Sequence, residues 1–270
     1  MKFRIPSPKP LASSGILLPP NNKTATTRIT SNSGSPIVSS ILKRRLRRAG
    51  GLQWDLFERG NNQVFRADTL AQLGWLTHGF GTRLSKNWPS SNGLAFVKQV
   101  HSDRVLRVES DGPQGQGDAM ISNLPGIALA IKTADCLPIL MADPKSRAVA
   151  AIHAGWRGVV SKIAPKTVQA LTREFGTRPE ELVVAIGPGI GACCFEVGPE
   201  VAIQFGLAGR TKVDLAATVC QQLGRNGVPA GQMSVSGLCS YCDSQLFESY
   251  RRDREGAGRM IAMIGVVGAL

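Results

Sequence analysis

Apolar runs of strand length, separated by short polar breaks, dominate the chain from residue 94 to residue 153. Residues 94–110 contain two such runs, with His101 at the join. The long run that follows is broken at residues 133–138, which predicts two buried strands on either side of a kink. The next run, residues 147–153, predicts a further buried strand that ends at His153.

Apolar positions recur at helical spacing after Arg157, and Gly176 supplies a natural C-terminal stop. Pro165 lies inside this pattern, so we expect the helix to kink or restart there. Thr177 and Glu180 resemble a capping box that would begin a short helix.

Later segments continue the mixture of strands and helices without an internal repeat. A strand is predicted at residues 182–188, a helix near Glu200, a helix that ends at residues 221–224, and a late strand and turn at residues 233–242. Interspersed strands and helices of this kind predict a mixed α+β sandwich.

The first 50 residues differ in composition from the rest of the chain. They hold ten Lys or Arg, no Asp or Glu, and much Ser, Thr, Pro and Asn. This composition is typical of an organelle transit peptide and equally of a disordered extension that cannot bury enough apolar surface to fold. We therefore expect a basic extension or targeting segment at 1–50 and a catalytic domain at 51–270.

The net charge of +13 comes mainly from that extension. From residue 51 onward, 22 basic residues face 19 acidic residues, which leaves only +3. We therefore expect no nucleic-acid partner for the domain. Since no run of 18 apolar residues occurs, we also expect no membrane span. The expected location is cytoplasmic, or an organelle if the extension is a transit peptide; the oligomeric state stays open.

Candidate chemistry lies where strands give way to loops. His101, Cys136 and His153 all occupy such positions, and two imidazoles with one thiolate make a three-ligand zinc site with an open fourth position. Because 35 and 17 residues separate these three, the fold must bring them together. The same residues also suit a metal-free mechanism in which Cys136 is the nucleophile, a histidine is the base and Asp135 orients it.

Other polar and aromatic residues are open to two interpretations. Arg83 and Arg157 are candidates to hold a phosphate or carboxylate, or are ordinary surface arginines. Asp118 is either a turn residue or a polar group that faces the site. Trp156 and Phe195 either stack on a base or pack in the core.

The remaining cysteines do not form a disulfide scaffold in a chain of 270 residues, so a reducing compartment is indicated. Cys239 and Cys242 resemble half of a zinc ribbon, yet no second pair follows at ribbon spacing. We expect these two cysteines to be structural. Whether Cys193 and Cys194 face the pocket stays open.

Several of these motifs together resemble a known family. HGFGTR at 78–83, KQVHS at 98–102, TADC at 133–136, HAGWRG at 153–158 and CSYC at 239–242 resemble successive motifs of the laccase-domain, polyphenol oxidoreductase-like family. Its members are also described as purine nucleoside phosphorylases and adenosine deaminases. The resemblance extends from about residue 78 to about residue 263.

This resemblance implies a single-domain α-β-β-α sandwich with mixed sheets. It also implies a metal site at His101, Cys136 and His153. Because a multi-copper oxidase needs many histidines and this chain has three, we expect Zn²⁺ rather than copper. The expected function is a zinc-dependent purine nucleoside phosphorylase with adenosine deaminase activity. The expected partners are phosphate and the nucleosides adenosine, inosine, guanosine and methylthioadenosine.

Cys136, His153, Arg83 and Arg157 are the expected catalytic residues. Two alternatives remain: a Cys-His amidase or hydrolase that edits peptidoglycan precursors, and a non-enzymatic metal-bound interaction module.

Overall fold

A computed structural model describes residues 42–47, 53–59, 62–86, 88–90 and 92–268. The strands are β1 (Leu42–Arg47), β2 (Gln53–Arg59), β3 (Asn62–Ala67), β4 (Leu76–Gly81), β5 (Leu94–Lys98), β6 (Val105–Arg107), β7 (Gly112–Gln116), β8 (Ala119–Ser122), β9 (Ala128–Thr133), β10 (Leu137–Ala142), β11 (Val149–Ala154), β12 (Val183–Ile186), β13 (Glu196–Val197), β14 (Thr211–Lys212), β15 (Met233–Val235) and β16 (Met260–Val266). The helices are α1 (Asp68–Ala71), α2 (Trp156–Val160), α3 (Ile163–Phe175), α4 (Pro199–Ala202), α5 (Leu215–Arg225) and α6 (Tyr250–Asp253).

Two mixed sheets form the body of the fold. The larger sheet has the order β1-β2-β3-β4-β16-β9-β5-β7, and the smaller has the order β15-β12-β10-β11-β8-β6. Most neighbours are antiparallel, whereas β5 pairs in parallel with β7 and β9, β6 with β8, and β12 with β15. The predicted α+β fold of a single domain with mixed sheets is confirmed.

Strands β10 and β11 lie between the two hydrophobic cores of the fold. Every residue of both strands is buried. Ile139 and Ile152 belong to the core that the helices cover, while Leu140 and Ala151 belong to the core shared with the larger sheet. Because successive side chains of a strand point to opposite faces, a strand covered on both faces is apolar throughout. This burial accounts for the continuous apolar runs of the sequence.

Helix α3 covers the smaller sheet through one apolar face. Val168 and Leu171 are buried on that face, and the helix packs against β8 and β11. Gly176 ends the helix in the left-handed region with φ 69°, as predicted. The predicted restart occurs earlier than Pro165, at Lys162, because Pro165 lies in the first turn of α3, where its missing N–H costs nothing.

One local prediction was wrong, and one strand was not predicted. The 3-10 turn at Pro179–Glu181 has Arg178 at its N-cap and no side-chain cap bond, so Thr177 and Glu180 do not form a capping box. Strand β16 was not predicted, although it lies between β4 and β9 in the larger sheet.

Of the predicted extension 1–50, the structure describes only β1, which pairs antiparallel with β2. The rest of that extension lies outside the described residues, and the division at residue 50 stays a prediction. Among the described residues, no helix is both long and apolar enough to cross a membrane.

Candidate metal centre

The side chains of His101, Cys136 and His153 meet where three strands end. His101 follows β5, Cys136 lies in the short link between β9 and β10, and His153 is the penultimate residue of β11. One ligand atom from each lies within 4.8 Å of the other two, and Cys136 Sγ is 3.9 Å from His101 Nε2. The fold thus brings together three residues that are far apart in sequence.

A buried carboxylate, Asp118, fixes the loop that carries His101. Its oxygens accept hydrogen bonds from the backbone N–H groups of His101 at 3.0 Å and Ser102 at 2.6 Å. They also accept the Ser102 hydroxyl at 2.7 Å. His101 has a positive φ of 58°, which is uncommon for a residue with a side chain. We infer that the bonds to Asp118 hold the loop in this conformation.

The same carboxylate orients His153. Asp118 Oδ1 lies 2.8 Å from His153 Nδ1, and the Asp118 carbonyl accepts the His153 backbone N–H at 2.7 Å. Both side chains are buried, with Asp118 0% exposed. A carboxylate that accepts Nδ1–H turns Nε2 toward a ligand and makes it more basic, as is usual for metal-bound histidines.

Neighbouring groups at this site shift the pKa values of Asp118, His153 and Cys136. Burial raises the pKa of Asp118, but hydrogen bonds from His153 and Ser102 outweigh it and lower that pKa to about 2. Burial lowers the pKa of His153, but Asp118 and Cys136 together raise it to about 9. Burial raises the pKa of Cys136, but His101 and His153 together lower it to about 7. A thiolate near neutral pH is thereby favoured, which is the form that binds a metal.

Gly155 lies directly against two of the three residues. A Cβ atom at this position would lie 2.9 Å from Cys136 Sγ and 3.0 Å from His101 Cδ2. Its φ of −74° is ordinary, so the backbone conformation does not require glycine here. The need is for space, because any side chain would displace the ligand atoms.

Asp135 does not orient a histidine, so that prediction was wrong. Its carboxylate accepts the Ser240 hydroxyl at 2.7 Å and the Arg251 backbone N–H at 2.6 Å. Asp118 contacts His153 instead. Asp135 also has a positive φ of 82° immediately before Cys136, and its carbonyl accepts the Ile190 N–H at 2.8 Å. These bonds fix the backbone that presents the Cys136 thiol.

The two predicted arginines have different surroundings. The Arg157 guanidinium lies over the Trp156 ring at 4.3 Å, and its side chain is exposed. Arg83 donates to the Ser244 carbonyl at 2.5 Å and lies 3.6 Å from a Glu248 oxygen. Arg83 is therefore engaged with residues 244–248, whereas Arg157 is presented on an aromatic surface two residues from Gly155.

The aromatic residues and the third histidine can also be placed. Phe195 is 7% exposed and packs in the core beneath the Arg251 guanidinium, so it does not stack on a base. Trp156 is half-buried beside the same core. His78 is buried away from this cluster, where its Nε2 accepts the Ala67 N–H at 3.1 Å.

Neither the role of Asp118 nor the steric role of Gly155 was predicted from the sequence. The available signal for Asp118 was an acidic residue that comes directly before a buried strand, β8. Contacts with residues 17 and 35 positions away are not visible in a local pattern.

Comparisons with known proteins show which family this chain resembles. A family model described as multi-copper polyphenol oxidoreductase laccase matches residues 46–267. The chain is 41% identical to a purine nucleoside phosphorylase of Deinococcus radiodurans over 187 residues, covering 66% of this chain and 72% of the relative. It is 35% identical to adenosine deaminase RL5 of an unknown prokaryotic organism over 190 residues, covering 62% and 72%.

A solved structure has the same fold. YlmD from Geobacillus stearothermophilus superposes with a TM-score of 0.70 at 25% sequence identity, covering 78% of this chain and 98% of that chain.

Proposed function

The chain belongs to the multi-copper polyphenol oxidoreductase laccase family, and from that premise we propose that it is a zinc-dependent purine nucleoside phosphorylase with adenosine deaminase activity. Adenosine, inosine, guanosine and methylthioadenosine, with phosphate, are its proposed substrates. The observation that carries the proposal is the convergence of His101, Cys136 and His153, oriented by Asp118.

The donor set fits zinc better than copper. Two imidazoles and one thiolate are ordinary ligands of catalytic zinc sites. A multi-copper oxidase needs many more histidines, and this chain has three, of which His78 bonds to the backbone elsewhere. When bound, Zn²⁺ supplies a Lewis acid and a water of lowered pKa.

The chain's own residues supply orientation and charge. Asp118 fixes the tautomer of His153 by accepting Nδ1–H, and it fixes the His101 loop through backbone bonds. Arg157 is proposed to orient the phosphate, because its exposed guanidinium is held over Trp156, two residues along the chain from Gly155. Trp156 offers an aromatic wall on that side.

The direct test is an assay of the purified chain on adenosine, with and without phosphate, in which adenine, inosine and hypoxanthine are quantified separately. Phosphorolysis gives adenine only when phosphate is present, and deamination gives inosine in either condition. Cys136→Ala and His153→Ala are expected to abolish both. Cys220→Ala is the matched control, because Cys220 lies on α5 outside the cluster. Full activity in the double variant C136A/H153A would refute the site.

The phosphate site has its own test. We expect Arg157→Gln to raise the KM for phosphate about tenfold or more while adenosine deamination is retained, because a charge-assisted bond contributes roughly 1.5–3 kcal/mol. Arg83→Gln, whose partners are Ser244 and Glu248, is the comparison. A larger effect of Arg83→Gln on the phosphate KM would assign the phosphate to Arg83 instead.

One observation favours a second candidate, a metal-free Cys-His hydrolase or amidase. The site contains the three groups of such an enzyme: an acid (Asp118), a base (His153) and a nucleophile (Cys136). Asp118 Oδ1 lies 2.8 Å from His153 Nδ1. Its proposed substrate class is an amide of a peptidoglycan precursor. Turnover of such an amide that persists after a strong chelator has removed all metal would establish this candidate over the zinc enzyme.

A further inference from the structure

Four of the six cysteines gather at a second place in the fold. Cys193 and Cys194 lie in the loop after β12, while Cys239 and Cys242 lie in the loop after β15. The four Sγ atoms lie within 4.8 Å of one another, and none of the four cysteines is in a disulfide. The fold thus supplies the second pair that the ribbon spacing of the sequence does not show.

The spacing of these sulfurs suits a tetrahedral metal ion. Four thiolates about 2.3 Å from a zinc ion lie about 3.8 Å from each other in an ideal tetrahedron. Cys242 Sγ is 3.6 Å from Cys193 Sγ and 3.3 Å from Cys194 Sγ. The other sulfur pairs lie within 4.8 Å, so small movements of the thiols by side-chain rotation would complete the tetrahedron.

The backbone around the cluster is built for close approach of the two loops. The Gly191 N–H donates to Cys239 Sγ at 3.2 Å, a bond that stabilises a negative sulfur. A Cβ at Gly191 would lie 3.3 Å from both Cys193 Sγ and Cys239 Cβ, so only glycine fits without displacement. The Ser240 N–H also donates to the Gly189 carbonyl at 2.9 Å, which ties the loops together.

A cation lies beside the second loop. Arg252 donates to the carbonyls of Ser240 and Tyr241, both at 3.0 Å, and these residues lie between Cys239 and Cys242. The same guanidinium also bonds the Asp253 carboxylate at 2.7 and 2.8 Å, so its role at this loop is to hold the backbone between the two cysteines. Cys193 and Cys242 are exposed, so an ion has access to the cluster.

We propose that Cys193, Cys194, Cys239 and Cys242 bind a structural Zn²⁺, separate from the metal centre at His101, Cys136 and His153. The four thiols release four protons as they bind the ion, and no oxidant or reductant takes part. All four positions of the tetrahedron are filled by protein, so this ion has no place for a substrate.

The consequence of this site reaches the first centre through Asp135. Ser240, between the paired cysteines, donates its hydroxyl to the Asp135 carboxylate, and Ile190 donates its N–H to the Asp135 carbonyl. Both cysteine loops therefore hold the residue next to Cys136. An ion that fixes these loops would also fix the position of the Cys136 thiol.

The test begins with the unaltered full-length chain, purified under reducing conditions and loaded with excess zinc before gel filtration. We expect about two zinc ions per chain by elemental analysis. X-ray absorption of the loaded protein should show zinc–sulfur scattering at about 2.3 Å in excess of what one thiolate and two imidazoles produce. A single zinc per folded chain whose scattering includes histidine nitrogens would overturn the proposal, whereas a single zinc with sulfur ligands only would place the ion at this cluster and leave the first centre empty.

Variants then assign the ions. The double variant Cys239→Ser/Cys242→Ser should retain about one zinc ion, whose ligands include histidine. The double variant His101→Ala/His153→Ala should also retain about one zinc ion, with sulfur ligands only. Cys220→Ser, which alters the one cysteine outside both clusters, should retain about two. Because the two pairs of variants report on different ions, failure of the proposed activity leaves this assignment decidable.

Intact mass measured under non-denaturing conditions separates the ion from oxidation. The proposal predicts a neutral mass that increases by one zinc less two hydrogens for the ion at this cluster, because the two charges of the ion replace two protons. A chain lighter by two or four hydrogens without metal, with the loss mapped to these four cysteines, would show disulfides instead and would overturn the proposal.

Discussion

At the residue scale, the absence of a side chain at Gly155 is as important as the three proposed ligands. A Cβ there would lie 2.9 Å from Cys136 Sγ, although the backbone would accept alanine readily. We therefore expect Gly155→Ala to fold, yet to bind zinc at this centre at least about tenfold more weakly, since ligand positions would shift by several tenths of an ångström.

Zinc titration of the metal-free protein with a competing chelator measures that change, and circular dichroism checks folding. Gly224→Ala is the matched control, because Gly224 lies in α5 with nothing within 4 Å of its Cβ position. We expect the control to gain about 0.5–1 kcal/mol in free energy of unfolding and to bind zinc normally. Equal zinc affinity in both variants would contradict the steric role of Gly155.

His78 gives the fold a dependence on pH that is separate from the metal centre. Burial and the nearby Arg66 charge lower its pKa to about 3, against about 6.5 in the unfolded chain. The unfolded chain therefore binds more protons between these values, so the stabilisation is complete above pH 6.5 and is lost as the pH falls toward 3. The slope is about 1.4 kcal/mol per pH unit within this window.

Urea unfolding at pH 7 and pH 5 tests this dependence. We expect the unaltered chain to lose roughly 2 kcal/mol more than His78→Asn between these two pH values, because the asparagine does not titrate. All other titrating groups are common to both proteins and cancel in the difference. Identical losses would show that folding leaves the pKa of His78 unchanged.

At the element scale, the link between α2 and α3 stores strain in one residue. Lys162 has φ 61° and ψ 42°, the left-handed region, where a side chain costs about 1–2 kcal/mol. Lys162→Gly is therefore expected to raise the free energy of unfolding by roughly 0.5 kcal/mol after the added entropy of the unfolded chain is subtracted.

Gln169→Gly, at an exposed position inside α3, should instead lower stability by about 1 kcal/mol, because glycine is a poor helix former. Thermal unfolding of the two variants measures the opposite signs. Destabilisation of similar size in both would mean that the Lys162 side chain makes contacts that outweigh its backbone strain.

The elements also show which parts of the fold the sequence reveals. Strands β9 to β11 and helix α3 were predictable because burial on both faces, or on one face, imposes a local pattern. The position of β16 between β4 and β9 depends on pairing over more than 100 residues, which no local pattern encodes. The role of Asp118 and the meeting of the two cysteine pairs depend on the same long-range pairing.

At the scale of the whole molecule, the proposed metal centre lies where the two sheets meet. His101 follows β5 of the larger sheet, His153 lies in β11 of the smaller sheet, and Cys136 lies in the link from β9 to β10, which passes from one to the other. A bound ion would therefore cross-link the layers that enclose the shared core. Since that cross-link exists only in the folded chain, zinc must stabilise the fold.

We expect zinc at a hundredfold excess over its dissociation constant for this centre to raise the free energy of unfolding by about 2.7 kcal/mol. Denaturant unfolding with and without zinc measures this increment. The comparison uses a background in which the four cysteines of the second cluster are changed to serine, so that only this centre responds to zinc. In that background, the zinc-dependent increment should disappear when His101→Ala is added. A persistent increment in His101→Ala would mean that zinc stabilises the fold at some other place and that the ion does not join the sheets.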